Sequence, residues 1–309
     1  MGRKRRGKAI HGWIIIDKPG GLSSNAVVGR VRRLTGAAKV GHAGTLDPMA
    51  TGVLPMALGE ATKIVSYLMD GAKAYRFTVR WGEQRDTDDA EGEVVATSDA
   101  RPAKEQILAV LGNFIGDIEQ VPPVFSAIKI EGKRAYALAR ADQAPEMKPR
   151  TIHIEDLKLL SVVDADHAEF EAVSGKGAYM RSLARDLGTA LGTVGHIAQL
   201  RRIAVGPFDE KQAISLDKLE SLRHSAPLSE YLLPVETVLD DIPALALTET
   251  EARKLNQGQA IPVLPVASRS PLKNIGQGDV VRVMAEGRLV ALAKINGFTV
   301  GKQICNKLS

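Results

Sequence analysis

One cysteine, Cys305, occurs in the 309 residues, which excludes an intramolecular disulfide and any CxxC zinc pair. The six histidines are scattered singly, there is no HExxH, and no GxGxxG follows a strand-like run. Gly36 to Gly41 has the spacing of a phosphate loop, but His42-Ala43 stands where Lys-Ser/Thr is required. Neither metal nor organic cofactor is expected. No apolar run approaches the roughly 18 residues that span a bilayer, since Trp13-Ile14-Ile15-Ile16 is broken at once by Asp17-Lys18-Pro19. Met1-Gly2-Arg3-Lys4-Arg5-Arg6 has no apolar segment behind it, and Arg6 stands where a myristoylation signal wants Ser or Thr. A cytoplasmic protein with no membrane partner is expected.

What is present is ordinary globular composition, 44% hydrophobic, 25% charged and 4% aromatic. The length calls for one large domain and a smaller one. The net charge of +5 sits in the first eight residues, so the high pI says little by itself. Its distribution says more: residues 9–82, 173–205 and 252–309 carry +5, +4 and +7, and 83–93 and 206–251 carry −5 and −7. Three separated basic segments on a neutral body fit a polyanion ligand.

After a basic tail, 1–9, a short strand over 11–16 reaches the turn Asp17-Lys18-Pro19-Gly20-Gly21. A helix follows, capped by Ser23 or Ser24, with Val27, Val28, Val31 and Leu34 as its apolar stripe and Gly36 as its stop. Residues 41–52 carry three glycines and a proline without periodicity and read as a loop of specified conformation. Tyr75, Phe77, Val79 and Trp81 alternate with Arg76, Thr78 and Arg80, the clearest strand pattern in the chain. Further strands are expected at 93–97, 125–130, 151–161, 167–173 and 197–204, and helices at 61–69, 103–111, 134–141 and 179–191. The result is an α+β body rather than regular βαβ alternation. An acidic, proline-containing connector over 225–245 leads to a small β-rich domain, 246–309, whose removal is expected to weaken polyanion binding.

Asp47 precedes Pro48, which favours an extended backbone and a carboxylate presented by a stiff loop; an Asx-type turn is the plainer use of the same residue. Arg181 falls in the first turn of the 179–191 helix, where the macrodipole disfavours a cation, so an anionic partner is expected. Pairing with Asp47 would keep that carboxylate ionised. Tyr75 is in phase with a core stripe, Lys18-Pro19 fits a simple turn, and Arg201-Arg202 fits a solvated strand edge. His42 fits loop packing, and Asp86 and Asp89 fit turns after the strand.

Asp17-Lys18-Pro19-Gly20-Gly21-Leu22-Ser23-Ser24, the Gly41-His42-Ala43-Gly44-Thr45-Leu46-Asp47-Pro48-Met49-Ala50-Thr51-Gly52 loop, Lys73-Ala74-Tyr75, Asp86-Thr87-Asp88-Asp89, Gly177-Ala178-Tyr179-Met180-Arg181 and Leu200-Arg201-Arg202 resemble, in order, the tRNA pseudouridine synthases of the TruB type. The resemblance spans roughly residues 10–210 and departs at Ser174-Gly175, where bacterial relatives commonly have Cys-Ser. It implies a mixed, mainly antiparallel sheet with flanking helices over 10–245 and a PUA-like RNA-binding domain over 246–309. It further implies isomerisation of uridine to pseudouridine at position 55 in the tRNA T-loop, without cofactor, by a monomer needing no protein partner.

By that resemblance Asp47 is the essential catalyst, as nucleophile or base at the sugar. Tyr75 stacks on the flipped base, Arg181 pairs with Asp47, and His42 fills the space the base vacates. Asp89, Tyr179 and Leu200 lie at the active site, while Lys18, Pro19, Arg201 and Arg202 bind RNA or support the loop. A non-catalytic tRNA-binding or folding chaperone would need the basic surface but not Asp47, Tyr75 and Arg181 together.

Overall fold

The computed structural model describes residues 7–126, 128–130, 133–136, 145–225, 227–270, 276–297 and 299–305. The strands are β1 (Gly12–Lys18), β2 (Val40–His42), β3 (Thr51–Leu58), β4 (Lys73–Trp81), β5 (Glu83–Arg85), β6 (Val94–Thr97), β7 (Gly116–Gln120), β8 (Lys129–Ile130) and β9 (Lys133–Arg134). They continue with β10 (Arg150–Val162), β11 (His167–Ser174), β12 (Gly195–Val205), β13 (Phe208–Asp209), β14 (Ala244–Ala246), β15 (Ile261–Pro262), β16 (Val280–Ala285), β17 (Arg288–Asn296) and β18 (Thr299–Cys305).

Nine strands form the main sheet in the order β1-β3-β12-β4-β11-β10-β7, with β2 on β3 and β13 on β12. All its pairs are antiparallel except the short β3–β12 contact, Thr51 opposite Arg201 and Gly52 opposite Arg202. The alternation of β4 drives its placement. Phe77 lies opposite Leu200 on β12 and Phe170 on β11, and the Phe77 and Phe170 rings stack at 5.5 Å. Trp81 meets Phe170 edge-on at 6.2 Å.

The apolar run of β1 is buried on both faces, as a strand between two layers requires. Ile14 and Ile16 enter the larger core with Val27, Val31 and Phe77, while Trp13 and Ile15 enter a second with Phe208, Val235 and Leu239. The Ser24–Thr35 helix covers the first face. Ser23 caps it by accepting from Ala26 N–H, and Gly36, at φ 70°, closes it with its N–H on the Arg32 carbonyl. Arg32 and Arg33 are exposed and Arg30 is half-buried.

Several expected boundaries shift. The 41–52 loop is shorter, because β2 takes its first two residues and β3 its last two. The strand β3 itself is not apparent in the sequence: Gly52 and Pro55 both argue against a central strand. Pro55 fits because its carbonyl accepts from Ala43 N–H, so its nitrogen also faces β2, away from the β1 ladder. The 61–69 helix divides into a 3₁₀ turn, Gly59–Lys63, and a helix, Val65–Asp70. Among the described residues of the expected strand 125–130, Lys129–Ile130 form the paired strand. The expected 134–141 helix falls largely outside the described residues. The remaining expected strands and helices of this part appear within a few residues of their stated bounds.

The acidic stretch 225–245 is no free connector. Leu233 exchanges both backbone hydrogen bonds with Trp13, and Trp13 Nε1 donates to the Val235 carbonyl at 3.0 Å. A five-stranded sheet follows, in the order β14-β16-β17-β18-β15. Leu289 and Leu292 of β17 join the core of Trp13, Phe208 and Leu239, so this sheet shares a hydrophobic core with the larger one. Among the described residues no helix is long and apolar enough to cross a membrane.

Candidate active site

Between β2 and β3, residues 43–50 form a loop fastened almost wholly from beneath. Ser24 Oγ accepts from Leu46 N–H and donates to its carbonyl, each at 2.9 Å. Lys18, fully buried, directs its ammonium at three carbonyls, those of Pro19 and Pro48 at 2.9 Å and Ala50 at 2.6 Å. Arg202, also buried, donates from Nε to Val53 at 2.8 Å and from Nη2 to Gly44 at 3.2 Å. Burial leaves loop support as the use of both cations and corrects the solvated edge expected at Arg202. Burial also brings the Lys18 ammonium down to about 8 and lowers Arg202 from its ordinary value.

The loop presents the Asp47 carboxylate to Arg181, which is 3% exposed. Arg181 Nη2 donates to Asp47 Oδ1 at 3.2 Å, and Nε lies 3.0 Å from Oδ2, off the line of a hydrogen bond. Nη1 donates to the Thr87 carbonyl and Nη2 to the Phe125 carbonyl, both at 2.9 Å. Asp89 Oδ2 stands 3.7 Å from Nε. The first-turn arginine therefore has its anions. The helix start is completed by Gln120, whose amide accepts from Tyr179 N–H at 2.9 Å and donates to the Tyr179 carbonyl at 3.2 Å.

Burial pushes the Asp47 carboxyl above its ordinary value, and the nearby Asp89 adds to the push. Arg181 and Lys18 pull the other way without cancelling it.

Two clefts meet at Asp47. One, of about 350 Å³, is bounded by Lys73, Tyr75, Tyr179, Leu200 and Arg202. The other, of about 510 Å³, is bounded by Ser24, Asn25, His42, Asp89 and Phe125. Asp47, Ser126 and Arg181 line both. Tyr75 is half-buried, with its phenol against the Arg202 guanidinium. Burial pushes the Tyr179 phenol up, and burial with the charge of Arg202 pushes His42 down, which favours neutral imidazole. Asp89 Oδ1 accepts from Thr87 Oγ1 at 2.7 Å and Glu91 N–H at 3.0 Å.

Asp47, Arg181, Tyr75, Tyr179, Leu200, His42 and Asp89 thus converge, although they span more than half the chain. Pro19 and Arg201 stand apart. Pro19 is exposed beside the loop, and Arg201 pairs with Asp17 at 3.0 Å and with Glu210. Sequence reasoning missed Gln120 and Ser126 and gave no role to Lys73 of the Lys73-Ala74-Tyr75 motif, which lines the first cleft and whose ammonium donates to the Met69 carbonyl and, at 2.6 Å, to that of Gly71. Lys73 is brought down to about 8 by burial and the charge of Arg202. Nothing in the sequence marks Gln120, which acts through the backbone of a residue 59 positions away.

Chemically, the site offers an oriented carboxylate at the meeting of two clefts, with Tyr75, Tyr179 and Leu200 beside Lys73 and Arg202 in one wall, and an arginine hydrogen-bonded to one of its oxygens and 3.0 Å from the other. That arrangement suits attack on, or proton removal from, a sugar carbon whose base has left the stack.

The chain superposes on a solved Cbf5–Nop10–Gar1 complex with a TM-score of 0.74 and 26% identity, covering 96% of this chain and 84% of that one. An archaeal box H/ACA Nop10–Cbf5 complex gives 0.71 and 25%, covering 96% and 86%. The family model for the N-terminal domain of TruB family pseudouridylate synthase matches residues 32–180, and that for the tRNA pseudouridylate synthase B C-terminal domain matches 181–240. The tRNA pseudouridine synthase B of Rhodospirillum rubrum is 61% identical over 295 residues, 96% of each chain. That of Caulobacter vibrioides is 53% identical over 296 residues, again 96% of each. This chain belongs to the TruB family of pseudouridylate synthases.

Proposed function

We propose that this protein isomerises uridine to pseudouridine at position 55 in the T-loop of tRNA, with Asp47 as the catalytic carboxylate. The observation that carries the reading is the convergence of two clefts on Asp47, held from one side by Arg181 and from below by a loop tied to Lys18 and Arg202. The N1–C1′ bond breaks, the uracil turns and rejoins C1′ through C5, the proton on C5 is lost and N1 gains one, so the composition is unchanged and no free base is released. Asp47 acts at the sugar while the cleft of Tyr75, Leu200 and Tyr179 holds the detached base out of water. His42, neutral and on the opposite side, takes the place vacated in the stack, and Asp89 helps to orient Arg181.

The domain reading is residues 10–245 for catalysis and 246–309 as a PUA-like RNA-binding domain, preceded by the basic tail. The T-stem-loop of tRNA is the partner, and the protein acts as a cytoplasmic monomer. Nucleoside analysis of a T-loop hairpin incubated with the protein in chelator tests the reading. Conversion of one uridine to pseudouridine without free uracil is expected; hairpin binding with no conversion, or release of uracil, would contradict it.

A further inference from the structure

One helical turn beyond Arg181 the same helix carries a second arginine on the same face. Arg185 Nη1 donates to Asp88 Oδ2 at 2.9 Å, and Nη2 donates to the Val121 carbonyl at 2.8 Å. Ser182 Oγ donates to that carbonyl as well, at 2.7 Å. Arg181 meanwhile donates to the carbonyls of Thr87 and Phe125. The two guanidiniums therefore grip the same two segments, 87–88 and 121–125, at successive points.

Asp88 is the pivot. It is buried and holds φ at 59°, a left-handed conformation that a non-glycine residue seldom adopts. Its N–H donates to the Arg85 carbonyl at 3.0 Å and its carbonyl accepts from Ile197 at 3.1 Å. The turn at Asp88 sets the direction of its two neighbours, the Thr87 carbonyl and the Asp89 carboxylate, both of which face Arg181. Asp88 and Arg185 line neither cleft at Asp47; they border a separate recess of about 280 Å³ with Val95 and Pro122.

We propose that the Asp88–Arg185 ion pair is a positioning device for the isomerisation, holding Thr87, Asp89 and the 121–125 segment so that Arg181 keeps the Asp47 carboxylate in one orientation. This inference rests on the catalytic role given to Asp47 above. Neither residue touches the reacting atoms.

The pair also has a pH signature. Burial raises the Asp88 carboxyl to about 6 against the pull of Arg185 and Arg181, with Asp186 adding to the rise. Arg85, Asp86 and Asp89 are the other charges on its own segment, and residues 121–125 bring no titratable side chain. From β12 Asp88 meets the Ile197 N–H, and the neighbouring His196 turns its Nδ1 to the Glu83 carbonyl. Protonation as pH falls through about 6 removes the anion from the pair.

Single-turnover kinetics with enzyme in excess over a T-loop hairpin test the proposal. Near pH 8, Asp88→Asn and Arg185→Gln are each expected to lower the saturating rate about tenfold while changing hairpin affinity by less than about twofold. Arg185→Lys recovers part of the rate, and the Asp88→Asn/Arg185→Gln double variant is no slower than either single one. The ratio of wild-type to Asp88→Asn rates shrinks towards one as pH falls to about 5, because the wild type loses the charge that Asn lacks. Wild-type conversion in the same assay tests the proposed function; the ratio tests the positioning role. Equal rates near pH 8, a ratio independent of pH, or a loss confined to affinity or melting temperature would overturn it, and Arg185→Gln gives the same decision if Asp88→Asn does not fold.

Discussion

A Cβ on Gly52 would stand 2.2 Å from the carbonyl oxygen of Arg202, at the point where β3 and β12 touch. Gly52 also holds φ at 97°, open to glycine at little strain. Only a bare Cα lets β3 approach the strand that carries Arg202, and Arg202 in turn holds the loop of Asp47. Gly52→Ala is expected to cost at least about 2 kcal/mol, read as a fall in melting temperature of about 4 °C or more. An unchanged melting temperature would show that the β3–β12 contact is looser than described.

Arg181→Lys keeps the charge and loses the planar fork that holds two carbonyls and a carboxylate. The saturating single-turnover rate should fall by about a hundredfold or more, with hairpin affinity within a few-fold. A phosphate contact would behave in the opposite way: affinity and its salt dependence would drop while the saturated rate stayed near normal.

Lys18 gives a pH-dependent stability term whose sign follows from its direction of shift. Folded Lys18 loses its proton near 8, against 10.5 ordinarily, so the unfolded chain holds more protons between those values. Its contribution to stability therefore rises with pH across that window, by at most about 1.4 kcal/mol per pH unit. Lys73 behaves in the same sense. Denaturant unfolding of the wild type and Lys18→Met from below pH 8 to above pH 10 should give curves whose difference changes across the window; parallel curves would contradict the burial of the ammonium.

Deleting 244–309 should not leave an intact catalytic domain, because Leu289 and Leu292 fill the core around Trp13 and Phe208. Two buried leucines are worth about 3–6 kcal/mol, so thermal unfolding of the truncated protein should begin about 10 °C lower. A truncated protein with wild-type melting behaviour would show that the two sheets are independent. The sequence leads one to expect that removing 246–309 weakens RNA binding without removing catalysis; the shared core adds a loss of stability to that outcome.

The fold was legible where periodicity and burial agree. The alternation of β4 and the capped helix after Ser23 lie close to where the sequence puts them. The strand β3 was hidden because Gly52 and Pro55 argue locally against it, and only the contact with β12 and the orientation of Pro55 explain why both are tolerated. At the site, the misplaced charge of Arg181 pointed to an anionic partner before any geometry. The burial of Lys18 and Arg202 was not legible from residue type alone: charge patterns report what is costly to bury, and both cations are buried against carbonyls supplied by chain distant in sequence.

The central claim is that the Asp47 carboxylate does the chemistry. Asp47→Asn preserves its shape and removes the charge. In nucleoside analysis of a T-loop hairpin under single-turnover conditions, the variant should form no detectable pseudouridine while binding the hairpin within a few-fold of wild type. Conversion at a substantial fraction of the wild-type rate would contradict the account.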